Sequence, residues 1–550
     1  MTIEARRLVT VALAALVTFS VQERRAAAEP SRGASRDPQT DLHPVTADDD
    51  PHDEFEAFPL LVPHGKHWIR AGVEVGAIVI VGFVDYLLNT GARGGLVVAG
   101  DEKWALRYDW PRLRGKLIGT AYELDANRFG TNYVSHPIAG SLYYQVARSN
   151  HLTFGESFLF SLLGSSIWEY FGEIRERVSI NDMIVTPTAG TTIGETMMQL
   201  SGFFDRGRNN VSNRALSFLF APIKFVNDIT DGSVPRRDPV TDALGFPTEP
   251  WHRFEVHGGV ATTTQARTRG PNGISPSATY MDVRFGLDLA IANLPGYRSS
   301  ARHSRLFDDG NVSNLAVQGA VSEGRFVDFQ AGTRIVPIGF YYRDARLDRA
   351  GHLRGQGLIV GMRMSFEYGI HEFDRDGQRA RDLVSVVSPI GIAAEHVVDA
   401  GPLRIRTGLD VFGAISGVSP YALGDWVALR GTADGLPTAA KNYGYYHALS
   451  ATASPFVALE WSSLRLEGRM RTDTFRAIEH LDEANAEVDW RNHISDRRSF
   501  TRATLSWEEP RLAPLRLAFA GERGSRAGNI GPVHASRGET SLVATVGARF

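Results

Sequence analysis

The sequence predicts an α+β multidomain chain, an N-terminal helical domain followed by an antiparallel transmembrane β-barrel of about twelve strands. Three observations predict it. The hydrophobic period changes from 3.6 to 2 after Trp251. The segments that follow alternate apolar residues with Arg, Asp and Glu over nine to eleven positions, which suits a wall with lipid on one face and a hydrated lumen on the other. The chain ends on a period-2 run, Leu542, Ala544, Val546, Ala548 and Phe550, closing on an aromatic residue.

Taken in order, residues 1–28 read as an export signal: Arg6 and Arg7 precede an apolar run from Leu8 to Val21, and Ala26-Ala27-Ala28 offers a small-residue cleavage site. The run is short for a membrane span. There is no cysteine for a lipid anchor, a disulfide or a thiolate metal site. Residues 29–54, rich in Ser, Asp, Pro and His and ending in Asp48-Asp49-Asp50, read as a disordered linker.

The helical domain is expected over 55–230. Trp68 to Leu88 is its most hydrophobic helix, with Glu74, Ile78, Val81 and Asp85 on one face. Asp101 to Asn127 reads as loop with a short helix. Pro137 at a first helical position opens the next helix, which stops near Ser149 and Asn150. Thr153 and Glu156 form a capping box, and the helix they open is expected to reach about Arg177. Thr186 and Pro187 are read as the start of another, along which Gly190 and Gly194 let a second backbone approach. Asn213 to Val226 is a last amphipathic helix. Residues 231–250, with Pro235, Pro239, Pro247 and Pro250, make a linker and a domain boundary.

The barrel is expected over 251–550. Met281, Val283, Phe285, Leu287 and Leu289 alternate with Asp282, Arg284, Gly286 and Asp288; Leu403, Ile405, Leu409 and Val411 do so with Arg404, Arg406, Gly408 and Asp410. An even number near twelve fits a closed membrane barrel, and the Phe550 strand resembles the terminal signal by which outer-membrane barrels are recognised for assembly. The predicted location is the outer membrane with the helical domain in the periplasm, below or beside the barrel, because a lumen of this size does not admit a plug domain. A net charge of -3 indicates no polyanionic partner and no nucleic acid. The partners expected are outer-membrane lipid and the barrel-assembly machinery. The sequence shows no phosphate loop, nucleophile elbow or zinc motif.

The stretch from Asn132 to Phe204 sets His136, Glu156, Glu169, Glu173, Asp182 and Glu195 among apolar and small residues, where an unpaired charge is costly. His136, Glu169, Glu173 and Asp182 are the candidate catalytic residues, as acid/base groups. Glu169, Glu173 and His136 are the candidate metal ligands, an oxygen-rich set that allows a divalent metal while no other cofactor is expected. Glu169 and Glu173, at i and i+4, call for an arginine, a metal ion or a shared proton between them. The structural alternative has Arg148, Arg175 and Arg177 neutralising these acids, Asp182 capping a turn and His136 fixing the chain before Pro137.

The pattern Asn132-x-x-x-His136-Pro137-x-x-Gly140, Tyr143-Tyr144, Ala147-Arg148, Trp168-Glu169, Glu173, Ser179-x-Asn181-Asp182 and Gly190-x-x-x-Gly194-Glu195 resembles an uncharacterised bacterial family, domain of unknown function DUF3943, over roughly Trp104 to Phe204. The resemblance implies an envelope protein of Gram-negative bacteria and carries over neither activity nor catalytic residues. Two functions are weighed. One is a non-enzymatic outer-membrane barrel whose helical domain is a scaffold, channel cap or lipid-contacting module. The other is an envelope enzyme acting on lipid or cell-wall material through the His/carboxylate set; a barrel hydrolase using His257, His371 or Ser365 is disfavoured, because alternation turns His371 and Ser365 to the lumen.

Overall fold

The computed structural model describes residues 60–61, 65–92 and 110–550, the last with short breaks at 174–175, 267, 271–272, 276, 295, 311, 374–380, 480–488 and 509–513. The expected signal and linker, Trp104 and Arg175 lie outside the described residues.

Fourteen strands build the wall: β1 (Trp251–Gln265), β2 (Ala278–Ala292), β3 (Ala301–Phe307), β4 (Val312–Ser322), β5 (Arg325–Val336), β6 (Gly339–Leu347), β7 (Leu353–His371), β8 (Asp382–Ala400), β9 (Leu403–Val418), β10 (Tyr446–Trp461), β11 (Leu464–Ala477), β12 (Ile494–Glu508), β13 (Leu515–Ile530) and β14 (Val533–Arg549). Along β7, residues Met364 to His371 pair with β5 and Leu353 to Gly361 pair with β6. Likewise β5 faces β4 and β6 faces β3, so β3 with β4 and β5 with β6 are each one stave interrupted at mid-height. The wall therefore has twelve antiparallel staves, and β14 pairs with β1 to close it. At that seam Phe550 and Phe254 exchange backbone hydrogen bonds of 2.8 and 3.0 Å.

Alternation sorts side chains as the sequence predicts. Val283, Val260, Phe519, Leu505 and Leu466 point outward and are exposed, and register pairs run from one to the next, with Ala544 bridging Val260 and Phe519. This apolar girdle is the surface a membrane barrel shows to lipid.

The lumen departs from the hydrated channel expected. Ion pairs cross it: Arg471 to Glu367 at 2.6 Å, Arg334 to Asp410 at 2.8 Å, and the fully buried Arg526 to Asp382 at 3.0 Å and Asp496 at 2.8 Å. The segment after β9 carries two short helices, α8 (Leu423–Arg430) and α9 (Thr438–Tyr443). It folds into one mouth, where Tyr421, Trp426 and Leu436 pack on Phe412 and Phe475. At the other mouth the turn after β2 brings Leu294 and Tyr297 against Phe307, Tyr341 and Ile359, and Arg298 lies over the Trp251 ring at 4.6 Å. Arginine forks matched to carboxylates satisfy the charges that a narrow, closed interior would otherwise strand.

The helical part comprises α1 (Trp68–Ala92), α2 (Trp110–Ile118), α3 (His136–Ser149), α4 (Phe154–Ile167), α5 (Ile180–Arg206), α6 (Val211–Phe220) and α7 (Pro222–Asp231). Three boundaries correct the sequence expectation. The helix opened by the Thr153/Glu156 box ends in a π turn over Trp168–Gly172 rather than running to Arg177. The long helix α5 starts at Ile180, capped by the Ser179 hydroxyl, which accepts from the Asp182 N–H at 3.1 Å; Pro187 lies inside it. Burial against α3 holds the helix across the proline, where local rules alone place a start. The last expected helix is two, broken at Ala221-Pro222.

The helices lie beside the barrel, against its outer wall. Val185 and Ala189 of α5 pack with Phe366 and Val387, and Phe203 and Phe204 pack with Phe254 and Leu289. Between them Thr333 donates to the Thr192 hydroxyl at 3.2 Å. Ile415, Val387, Phe366, Thr333, Leu315, Leu289 and Phe254 are successive register partners, one lateral row across seven staves. Six steps of ~4.8 Å make ~29 Å, and the nineteen helical steps from Val185 to Phe204 rise ~28 Å. Helix α5 thus lies along a single row of the wall, perpendicular to the strands. On its opposite side it meets α3 backbone to backbone: a Cβ on Gly190 would sit 2.3 Å from the Gly140 carbonyl carbon, so the glycine spacing works as predicted.

Candidate functional site

The predicted acids gather where α2, the π turn and the start of α5 meet, close to the barrel mouth filled by α8 and α9. Glu169, 1 % exposed, takes the Ser179 N–H on Oε2 at 2.8 Å. Asp182, also buried, has its Oδ2 3.5 Å from His136 Nε2 and accepts from Asn181 Nδ2 at 2.9 Å. Glu173 terminates the π turn and accepts from the Trp168 indole at 3.1 Å. A fourth acid, Asp125, joins them; its backbone N–H donates to Asn181 at 2.7 Å.

Like charges in a dry setting raise one another's pKa. Burial first, then the Asp182 charge, push Glu169 up to about 8. Burial and the Asp182 and Glu176 charges push Asp125 to about 8 as well. Glu173 moves up by burial and by Glu176. A cation among the described residues here is Lys116, fully buried, which donates to the Glu169 carbonyl and, at 2.7 Å, to that of Glu173; burial draws its pKa down. Among the described residues the raised proton affinity of these acids, Lys116 and the His136 ring beside Asp182 offset their mutual repulsion. Arg148 serves Glu195 instead, and Arg177 reaches Glu123 at 3.7 Å. Among the described residues no three of His136, Glu169, Glu173 and Asp182 bring ligand atoms within 4.8 Å of one another, so the structure does not assemble the metal set read from sequence.

The motif residues around this cluster grip the barrel. His447, in β10, uses both ring nitrogens: Nδ1 meets the Tyr133 hydroxyl at 2.8 Å and Nε2 the Asp125 carbonyl at 2.8 Å. The Tyr445 hydroxyl donates to the Asn127 carbonyl at 2.7 Å and accepts from Asn132 at 3.0 Å. Tyr133 lies flat on Gly417 of β9, where a Cβ would be 2.2 Å from the ring.

A second grip lies at mid-wall. Glu195, fully buried, accepts from Tyr144 at 2.7 Å, from Arg148 Nε at 2.9 Å and Nη2 at 3.1 Å, and from Gln199 at 2.5 Å. Arg148 also pairs with Asp309 at 2.8 Å, in the bulge that interrupts the β3/β4 stave. Gly310 follows with φ +74, and a Cβ there would lie 2.2 Å from Glu195 Oε1. The bulge lets the wall meet a buried charge on the helices. Sequence reasoning missed Lys116, Asp125, Tyr445 and His447. It also missed the bulge, whose signal was Asp308-Asp309-Gly310 inside an otherwise alternating run.

Residues 121–223 match the domain of unknown function DUF3943. The matched segment contains the four clustered acids, α3 to α6 and the helical-side residues of both grips, so the domain is the part of the chain that holds the wall. None of the curated proteins matches the sequence. Similar solved structures include OmpT of Vibrio cholerae, an outer membrane protein, with loop L8 deleted (7% identity, 55% of this chain and 100% of that one, TM-score 0.20). A Pseudomonas aeruginosa FadL homologue gives 9% identity over 56% of this chain and 91% of that one, at TM-score 0.22. The beta domain of the Bordetella autotransporter BrkA gives 11% identity over 55% of this chain and 100% of that one, at TM-score 0.22. The twelve-stave closure and the outward apolar girdle, read from this chain itself, make it an outer-membrane β-barrel protein.

Proposed function

We propose that the protein is a lipid-contacting scaffold, a sealed outer-membrane barrel that holds a helical module against its outer wall within the layer of lipid. The observation that carries this reading is the module's outer surface. Ile69, Val73, Ile80 and Val84 of α1, Ile138 of α3 and Leu159 and Leu163 of α4 are exposed, while α5 is enclosed between them and the wall. An exposed apolar face of this extent on helices docked beside a lipid-facing girdle marks a membrane contact. No described helix is long and apolar enough to cross a membrane. The helices are carried into the apolar layer by the wall they pack on.

On this reading the partners are outer-membrane lipid and, through the Phe550 strand, the barrel-assembly machinery, and no channel function is involved. The chain has no cysteine, so single cysteines can be placed at will. Nitroxide labels at Ile80 and Leu163, in proteoliposomes, should relax with oxygen and be shielded from a water-soluble nickel chelate. A label at Asp434, exposed on the loop before β10, should show the reverse. Nickel access at Ile80 and Leu163 equal to that at Asp434 would overturn the reading.

A further inference from the structure

At the end of the helical module where the chain passes into β1, three elements bring together His67, His151 and Asp231. His67 precedes α1, His151 follows α3 and Asp231 ends α7. One ligand atom from each lies within 4.8 Å of the other two. The His151 Nε2 to Asp231 Oδ2 distance is 3.9 Å and the imidazole centroids are 5.8 Å apart. We propose that these residues form a binding site for a divalent transition metal of the zinc class, with its remaining coordination positions open to solvent.

The ligand chemistry fits. Two imidazoles and one carboxylate are a recurrent three-ligand set for Zn²⁺, at bond lengths of about 2.0 to 2.2 Å, which leaves at least one position for water. The ligand atoms lie within 4.8 Å of one another, so small side-chain rotations bring them to the separation, at most about two bond lengths, that one shared ion requires. Of the three, His67 and Asp231 are exposed and His151 is half-buried, so the site opens outward.

The scaffold around the three is built to hold them. His151 adopts φ +63, a conformation that a helix end normally assigns to glycine or asparagine. The His67 N–H donates to the Asn150 carbonyl at 3.1 Å, tying the residue before one histidine to the other. Arg70 clasps Asp231 with its two terminal nitrogens, Nη1 to Oδ1 at 2.5 Å and Nη2 to Oδ2 at 2.9 Å. This clasp is the orienting contact that ligating carboxylates usually have, and it leaves each oxygen a second lone pair. The site is remote from the Glu169 cluster and independent of the lipid-contact reading.

The test is Zn²⁺ titration of the full-length, metal-stripped protein in detergent, by calorimetry, with Co²⁺ absorption as a second readout. The variants are His67→Gln, His151→Asn and Asp231→Asn; asparagine tolerates the positive φ at 151. Wild type should bind one equivalent, give the intense visible bands of four- or five-coordinate Co²⁺ and melt at higher temperature with Zn²⁺. Each variant, checked for an unchanged circular dichroism spectrum, should lose affinity by at least about 10-fold, the smaller loss seen when even a supporting contact to a metal ligand is removed. Zn²⁺ binding that all three variants retain unchanged, or wild-type binding without defined stoichiometry, would overturn the site.

Discussion

Replacing Glu195 by glutamine tests how the helices are held. The carboxylate is fully buried and accepts four hydrogen bonds, two of them from Arg148. An amide keeps one acceptor and turns an NH₂ toward donors, leaving a guanidinium that retains Asp309 at 2.8 Å and the Leu152 carbonyl at 3.0 Å. Breaking a buried pair from one side costs about 3 to 5 kcal/mol. The surviving partners put this case near the lower end, about 3 kcal/mol. Removing both charges, as in Arg148→Met with Glu195→Leu, deletes the desolvation cost together with the attraction and should be milder than the single change. Urea unfolding in detergent, followed by tryptophan fluorescence, reads both. A loss under about 1 kcal/mol for Glu195→Gln, or a double variant worse than the single, would refute the buried-pair reasoning.

The pH dependence of the helical module has a defined sign. Glu169 and Asp125 bind protons more tightly folded than unfolded, up to about 8. Their contribution is therefore full at low pH and declines as pH rises from the ordinary carboxylate range to about 8. Melting of the helical signal should be higher at pH 5 than at pH 8, and Glu169→Gln should flatten that slope while changing stability little at pH 7; a rising or unaltered slope would count against protonated acids. Gly190→Leu, which drives a side chain into the Gly140 backbone, should detach α3 and expose the module to proteolysis while heat-modifiable barrel mobility persists. The purified protein in planar bilayers should show no steady ion conductance, because both mouths are filled; steady pores would contradict the sealed lumen.

The barrel was legible because period-2 alternation is a local signal, and twelve staves are what the count of alternating runs predicts. The interruption of two staves was not, since it shows only in the pairing of β5 and β6 along the single strand β7. The capping box announced α4, and the glycine pair announced a close backbone approach to α5 without saying that α3 makes it. The part that Lys116 and Asp309 take in compensating charge was not legible because it is tertiary. Lys116 arrives from a helix 53 residues before Glu169, and Arg148 is taken by Glu195 and by Asp309, 161 residues away in sequence. The row beneath α5 likewise joins Phe254 to Ile415, and each of its residues alone reads as an ordinary outward position. Only the register aligns them.

The placement of the helices on the outer wall is tested most directly by a disulfide between Thr192→Cys and Thr333→Cys. The two hydroxyls are 3.2 Å apart and both residues are buried, at 0% and 4% exposure. The chain is otherwise free of cysteine. Side chains this close suit the Cβ separation of about 3.8 Å that a disulfide needs. Mild oxidation of the membrane-inserted protein should give one intramolecular cross-link with a shift in gel mobility, and Thr192→Cys with Leu505→Cys on the uncovered wall should give none. Absence of the Thr192–Thr333 cross-link, or equal yield from both pairs, would contradict the account.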